Sequence, residues 1–145
     1  MNNKTQIISK IVVLFFIITA PKHSTSQWTQ LGLDIDRESS NDFSGYSVSM
    51  DAAGNRLAIV ATRNRGNGIN AGHVRMYERS TMGWVQLRAE FDGEAMDDYS
   101  GFPVSIDSMG DRLAICATLN DGNGVDAGHV RVYEWNSSGS ERKRY

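Results

Sequence analysis

Residues 27–139 predict an all-β fold of two four-stranded antiparallel blades, a partial β-propeller, preceded by a signal peptide. Three observations carry this expectation. Residues 28–78 laid over residues 84–134 are identical at 29 of 51 positions, so one unit recurs with a period of 56 residues. Within each unit, four short runs have strand character, and Gly, Asn and Asp crowd the gaps between them. After the first 26 residues no stretch has helical periodicity. A repeat of this length points to a propeller, solenoid or array, and four strands in roughly 40 to 55 residues make a propeller blade.

Residues 1–26 differ from the rest. Lys4 and Lys10 flank a polar start, and Ile11 to Ala20 then runs apolar without a break. A basic region followed by a short apolar one is the layout of a secretory signal peptide. The apolar run is too short to span a bilayer, which takes about 20 residues of helix. Ser24-Thr25-Ser26 supplies small residues for cleavage, so the mature chain is expected to begin near Gln27 and to be secreted or displayed at the cell surface.

Without residues 1–26 the chain keeps 12 of its 15 basic residues and all 17 acidic ones, a net charge of −5. Nucleic acid is excluded as an expected partner, since binding it needs a basic face that displaces counterions. Cys116 is the only cysteine, so stability has to come from packing rather than from disulfides. It aligns with Val60 in an apolar strand pattern and reads as a buried structural thiol.

The first run of the unit, Tyr46 to Met50, puts Tyr46, Val48 and Met50 on one face and Ser47 and Ser49 on the other. Its counterpart sets Phe102, Val104 and Ile106 against Pro103 and Ser105, and Pro103, which cannot donate to a ladder, belongs at the strand's start or facing outward. A turn follows at Asp51 to Asn55 and at Asp107 to Asp111, with a glycine for positive φ and a leading aspartate to cap it. The second run, Leu57 to Ala61 and Leu113 to Ala117, is apolar on both faces, as in the middle of stacked sheets. The third alternates Val74 and Met76 with His73, Arg75 and Tyr77, and likewise Val130 and Val132 with His129, Arg131 and Tyr133. The fourth begins at tryptophan: Trp84 to Phe91 carries Leu87, Ala89 and Phe91 on one face, and Trp28 to Ile35 matches it.

Gly45-Tyr46-Ser47-Val48-Ser49 and Gly101-Phe102-Pro103-Val104-Ser105, followed by Leu57-Ala58-Ile59-Val60-Ala61-Thr62, resemble the FG-GAP repeat of integrin α chains and secreted bacterial propellers. The stretch Ala127-Gly128-His129-Val130-Arg131-Val132-Tyr133-Glu134 is similar to the bacterial subgroup, and the resemblance covers residues 28 to about 139. It implies an extracellular, non-enzymatic binding module. The glycine-alanine-proline element itself is replaced by Val60-Ala61-Thr62 and Cys116-Ala117-Thr118.

Candidate recognition loops are Arg63 to Asn70 and Leu119 to Asp126, which are polar, long and placed alike in both units. Their candidate ligand-binding residues are Asn64, Asn67, Asn70, Asn120, Asp121, Asn123 and Asp126. Calcium has two places to consider: the hairpins, where Asp51 to Asn55 has too few oxygens and Asp107 to Asp111 offers two acids with Ser108, and Asp121, Asn123 and Asp126, where carboxylates could gather on a hard cation. The first unit has Arg65, Asn67 and Asn70 there, so no cofactor is expected. His73 and His129 share a position but no metal-binding spacing. Arg75 and Arg131 are expected to be exposed, beside Glu78 and Glu134. No nucleophile elbow, HExxH, P-loop or dinucleotide motif is present, so no catalytic residues are assigned. Asp92, Glu94, Asp97 and Asp98, with Asp36, Glu38 and Asp42 as their counterparts, read as solvated acidic loops. A second function class stays open, a propeller domain acting on extracellular polysaccharide with Asp97 or Asp98 as its acids. Asn136-Ser137-Ser138 is a glycosylation sequon.

Closed propellers usually have about 4 to 8 blades. Ser140 stands where the next tryptophan is due, followed by a basic tail to Tyr145, so the second blade is expected to lack its fourth strand. Two accounts are open. Trp28 to Ile35 of one chain completes the second blade of the next, giving a homotrimer or homotetramer by strand exchange, or the chain is a piece of a longer propeller. The partner expected at the loops is an extracellular protein or carbohydrate.

Overall fold

A computed structural model describes residues 26–135 and 142–144 of the chain. These residues hold eight strands and no helix, paired into two antiparallel sheets of four. The expected signal peptide lies outside them except for Ser26, as do the Asn136-Ser137-Ser138 sequon and Ser140. None of the described residues lies in a helix long and apolar enough to cross a membrane.

The first sheet is β1 (Ser44–Met50), β2 (Arg56–Ala61), β3 (His73–Ser80) and β4 (Gly83–Asp92), and the second is β5 (Val104–Ile106), β6 (Arg112–Ala117), β7 (His129–Glu134) and β8 (Arg142–Arg144). Strands adjacent in sequence are adjacent in each sheet: short turns join β1 to β2, β3 to β4 and β5 to β6, and longer loops over residues 62–72 and 118–128 join β2 to β3 and β6 to β7. In the β1–β2 turn, Asp51 Oδ1 accepts from the amides of Asn55 at 2.7 Å and Arg56 at 3.1 Å. In the β5–β6 turn, Asp107 Oδ1 does the same for Asp111 at 3.0 Å and Arg112 at 3.1 Å. Desolvation pushes the Asp107 carboxyl upward, but the amide hydrogen bonds from Arg112 and Asp111 outweigh it and hold the group below its ordinary value of 3.8. Pro103 lies just before the three-residue β5: its carbonyl accepts from Cys116 N at 3.1 Å, but it has no N–H to donate to the ladder.

The two sheets stack through one apolar core. Ala58, Val60, Val74, Met76 and Phe91 of the first sheet meet Val104, Ile106, Leu113, Ile115 and Tyr133 of the second. Phe91 and Tyr133 pack with ring centroids 4.5 Å apart. The approach is closest at Gly101, where φ is +107° and a Cβ would stand 2.5 Å from Val60 Cγ1 and 3.0 Å from Val74 Cγ2. Polar contacts lock the same junction: Arg56 Nη1 donates to Gly110 O at 2.7 Å, and the Ile106 amide donates to Ser49 Oγ at 3.0 Å.

Three expectations are corrected. Trp28 to Ile35 is not a strand, and Trp28 and Leu33 are exposed. Gly32 takes φ +82° at the position held by Arg88 in β4, which breaks the extended path, and it lies directly against Gly83 at the β3–β4 turn. The second sheet does not lack its fourth strand, because Arg142–Arg144 pairs with Val132–Glu134 and satisfies the edge of β7. Cys116 is free but half-buried rather than fully enclosed, since it lies on the face of β6 turned away from the first sheet.

Ile115 is fully buried at the junction, so Ile115→Ala is expected to cost about 2–5 kcal/mol in urea-unfolding free energy. Gly101→Ala adds a methyl where none fits and at positive φ, and is expected to cost about 1–3 kcal/mol by the same measurement. Because the folded Asp107 carboxyl titrates below its unfolded value, its charged form stabilises the fold above about pH 4, and this contribution is lost as pH falls through the folded value. Asp107→Asn should therefore lower stability at neutral pH, with the gap from the parent chain closing in acid.

Candidate functional site

The loops that carry the sequence candidates are built by their own asparagines. Asn64 Oδ1 accepts from Gly66 N at 2.8 Å, and its carbonyl accepts from Gly72 N at 3.1 Å. Asn120 repeats both contacts, with Gly122 N at 3.0 Å and Gly128 N at 2.9 Å. The side-chain amide of each turns inward: Asn64 Nδ2 donates to Asp42 Oδ2 and Glu38 Oε2, both at 3.5 Å, and Asn120 Nδ2 to Asp98 Oδ2 at 3.1 Å. Asn64 and Asn120 are buried, as are Asp42 and Asp98. These side chains fold the loop and have little capacity left for a ligand.

The remaining candidates divide between structure and surface. Asn67 Nδ2 donates to Gly93 O at 3.0 Å, and Asn70 Nδ2 to Asp97 Oδ1 at 2.8 Å, tying the first loop to the segment between the sheets. Asp121 Oδ1 accepts from Asp126 N at 2.8 Å, and Asn123 is exposed. Among the described residues no group of three or more His, Cys, Asp or Glu is placed to hold a metal ion, and that covers Asp121 and Asp126.

The acidic segments are ordered rather than freely solvated. Asp98 Oδ2 also accepts from the amides of Glu94 at 3.1 Å and Ala95 at 2.9 Å, and Asp42 Oδ2 accepts from Ser39 N at 3.0 Å. Arg75 is buried, unlike the exposed residue expected. It donates through Nη2 to Asp36 O at 2.9 Å and Ser44 Oγ at 3.1 Å. Arg131 does the same to Asp92 O at 2.8 Å and Ser100 Oγ at 3.3 Å. Glu78 and Glu134 pair instead with Arg56 at 3.5 Å and Arg112 at 3.2 Å. His73 is buried in a polar cleft of about 510 Å³, with Glu38 and Asp92 each 3.7 Å from a ring nitrogen. Further along β3, burial raises the Tyr77 phenol above its ordinary 10.0, partly opposed by Arg75.

A second concavity of about 250 Å³ opens where the β2–β3 and β6–β7 loops meet the start of β1 and the Tyr99–Phe102 segment. Phe43, Tyr46, Tyr99 and Phe102 line it, with Thr62, Arg63, Thr118 and Leu119. Tyr46 and Phe102 meet edge to face at 5.0 Å, and the Arg63 guanidinium lies 4.4 Å from the Phe43 ring centroid. Phe43 and Tyr99 hold φ of +58° and +50°, a left-handed conformation that bulky residues rarely adopt. Each such residue costs about 1–3 kcal/mol, and strain of this kind gathers at functional sites. The candidate asparagine loops contribute only their first residues, Arg63 and Leu119, to this groove. Its aromatic residues were missed in the sequence, although the signal is present: both units carry an aromatic ring at 43/99 and at 46/102.

Comparison with family models and with curated proteins found no match to this chain.

Asp98 is buried and bonded to three donors, so Asp98→Ala is expected to lower unfolding free energy by roughly 1–3 kcal/mol, the cost of stranding buried donors. Urea denaturation checks it, and an unchanged midpoint would sink the structural role.

Proposed function

We propose that this chain is a secreted or cell-surface module of the FG-GAP-like β-propeller kind, which binds a ligand at its aromatic groove without transforming it. The observation that carries the reading is the groove itself: four aromatic residues at two repeat-equivalent positions, two of them held in left-handed conformations. A concave, mostly apolar surface with a few polar groups is the common form of a ligand site. Half-exposed rings beside the Thr62 and Thr118 hydroxyls and the Arg63 guanidinium suit a neutral saccharide chain, whose ring faces stack and whose hydroxyls exchange hydrogen bonds. The apolar segment Ile11 to Ala20 and the net charge of −5 after residue 26 support an exported protein with no affinity for nucleic acid.

The competing class, a domain that hydrolyses polysaccharide, draws its acids from Asp97 and Asp98. Asp98 is committed to three donors and Asp97 Oδ1 accepts from Asn70, which favours binding over turnover.

Titration calorimetry of the chain against soluble neutral oligosaccharides and a proline-rich peptide tests the proposal. The expected result is saccharide binding without product formation, weakened tenfold or more in Tyr46→Ala and Phe102→Ala, in line with aromatic anchors worth about 2 kcal/mol. Binding that survives both substitutions places the site elsewhere, and preference for the peptide replaces the saccharide reading.

A further inference from the structure

The 56-residue period puts the same residue types at matching positions of two sheets, but the sheets bury opposite faces. Val104 and Ile106 are each 8% exposed at the junction, whereas their counterparts Val48 and Met50 are 60% and 50% exposed on the outer face of the first sheet. The other side shows the converse. Val74 and Met76 are 0% and 6% exposed, and their counterparts Val130 and Val132 are 59% and 42% exposed on the outer face of the second sheet. Each outer face thus carries one half of the interface that the molecule already builds inside itself.

The glycines record the same asymmetry. A Cβ on Gly101 would collide with Val60 and Val74, but one on its counterpart Gly45 would meet nothing within 4 Å. Gly68 is crowded by Met96 at 3.1 Å, and its counterpart Gly124 faces open space. Residues equivalent to Val60 and Val74 are Cys116 and Val130, and both lie on the outer face of the second sheet.

We infer that copies of this chain associate head to tail, the outer face of the second sheet in one copy packing on the outer face of the first sheet in the next. Contiguous apolar surface of this kind marks an interaction site. The occupant is a second copy because the internal junction is itself the template. Arg112 would take the place of Arg56 and donate to the next copy's Gly54 carbonyl, as Arg56 donates to Gly110 O. Ser105 Oγ would accept from the next copy's Met50 amide, as Ser49 Oγ accepts from Ile106 N. The contact is heterologous, so it generates a ring where the rotation closes and a filament where it does not. It needs no exchange of Trp28 to Ile35, and β7 already has β8 beside it. Each new junction would also set Tyr99, Phe102, Thr118 and Leu119 of one copy beside Phe43, Tyr46, Thr62 and Arg63 of the next, which remakes the aromatic groove.

Sedimentation velocity of the full chain over a wide concentration range tests this. The parent chain should show associated species that grow with concentration, and Val48→Glu and Val130→Glu should each abolish them while circular dichroism stays unchanged. Mixing the two variants should give a one-to-one dimer and nothing larger, because each retains one intact face. A parent chain that stays monomeric throughout overturns the inference, as does association that persists in the variants, whether through residues 11–20 or any other surface. A mixture that stays monomeric overturns it too. Should either variant unfold, the parent chain supplies a second readout. Alkylation of Cys116 should slow as concentration rises, because the junction covers it as Val60 is covered, and a rate independent of concentration overturns the inference.

Discussion

The absence of a side chain at Gly101 sets the spacing between the two sheets, and both the core and the groove depend on that spacing. With no Cβ, the backbone entering β5 can lie directly on Val60 and Val74. That contact seats Val104 and Ile106 over the first sheet and closes the apolar core from which the fold draws its stability. It also fixes how far Phe102 stands from Tyr46, since Phe102 is the next residue along the chain. One close approach therefore governs the packed interior and the aromatic surface together.

The polar residues of the loops serve that arrangement. Asp98 gathers two backbone amides and the Asn120 side chain, and Arg131 ties the Asp92 carbonyl and the Ser100 hydroxyl to β7. Asp42 and Arg75 make comparable contacts in the first sheet. The Asp42 and Asp98 carboxylates are stabilising because they are matched by donors, which leaves them poorly suited to bind and release a ligand. They are suited to holding Phe43 and Tyr99 in a backbone conformation that neither would adopt unaided. A rigid polar frame supporting strained aromatic residues is a division of labour between the loop interior and the groove wall.

What was legible in the sequence is what is decided locally. The Asp-x-x-Gly turns and the alternation in Val74 to Tyr77 specify hairpins and strand faces from a handful of adjacent residues, and the structure agrees with them. Trp28 to Ile35 misled because identity at Trp28, Gln30 and Leu31 outweighed one substitution, Gly32 for Arg88, that changes the backbone itself. The asparagine loops misled for a different reason: a polar side chain that recognises a ligand and one that folds its own loop look alike until its partners are known. The charge of Arg75 and Arg131 suggests the surface, although both donate to carbonyl and hydroxyl oxygens 31 and 39 residues away in sequence, and their acidic neighbours are Glu38 and Glu94 rather than Glu78 and Glu134. The aromatic pairs are legible only as a residue class that both units share outside the core, at 43/99 and 46/102.

Because the groove walls come from both sheets, its width is not set by the groove residues alone. Phe43 and Tyr46 are carried by the first sheet's entry, Tyr99 and Phe102 by the segment that leads into the second. Any change that moves one sheet against the other, whether at Gly101, Ile115 or Arg56, therefore moves the two aromatic pairs apart or together. Packed interiors transmit such displacements rather than absorb them, since they contain little free volume. Substitutions deep in the junction then act on the groove at a distance. Residues on the groove wall can change its chemistry while leaving its span as the core has set it.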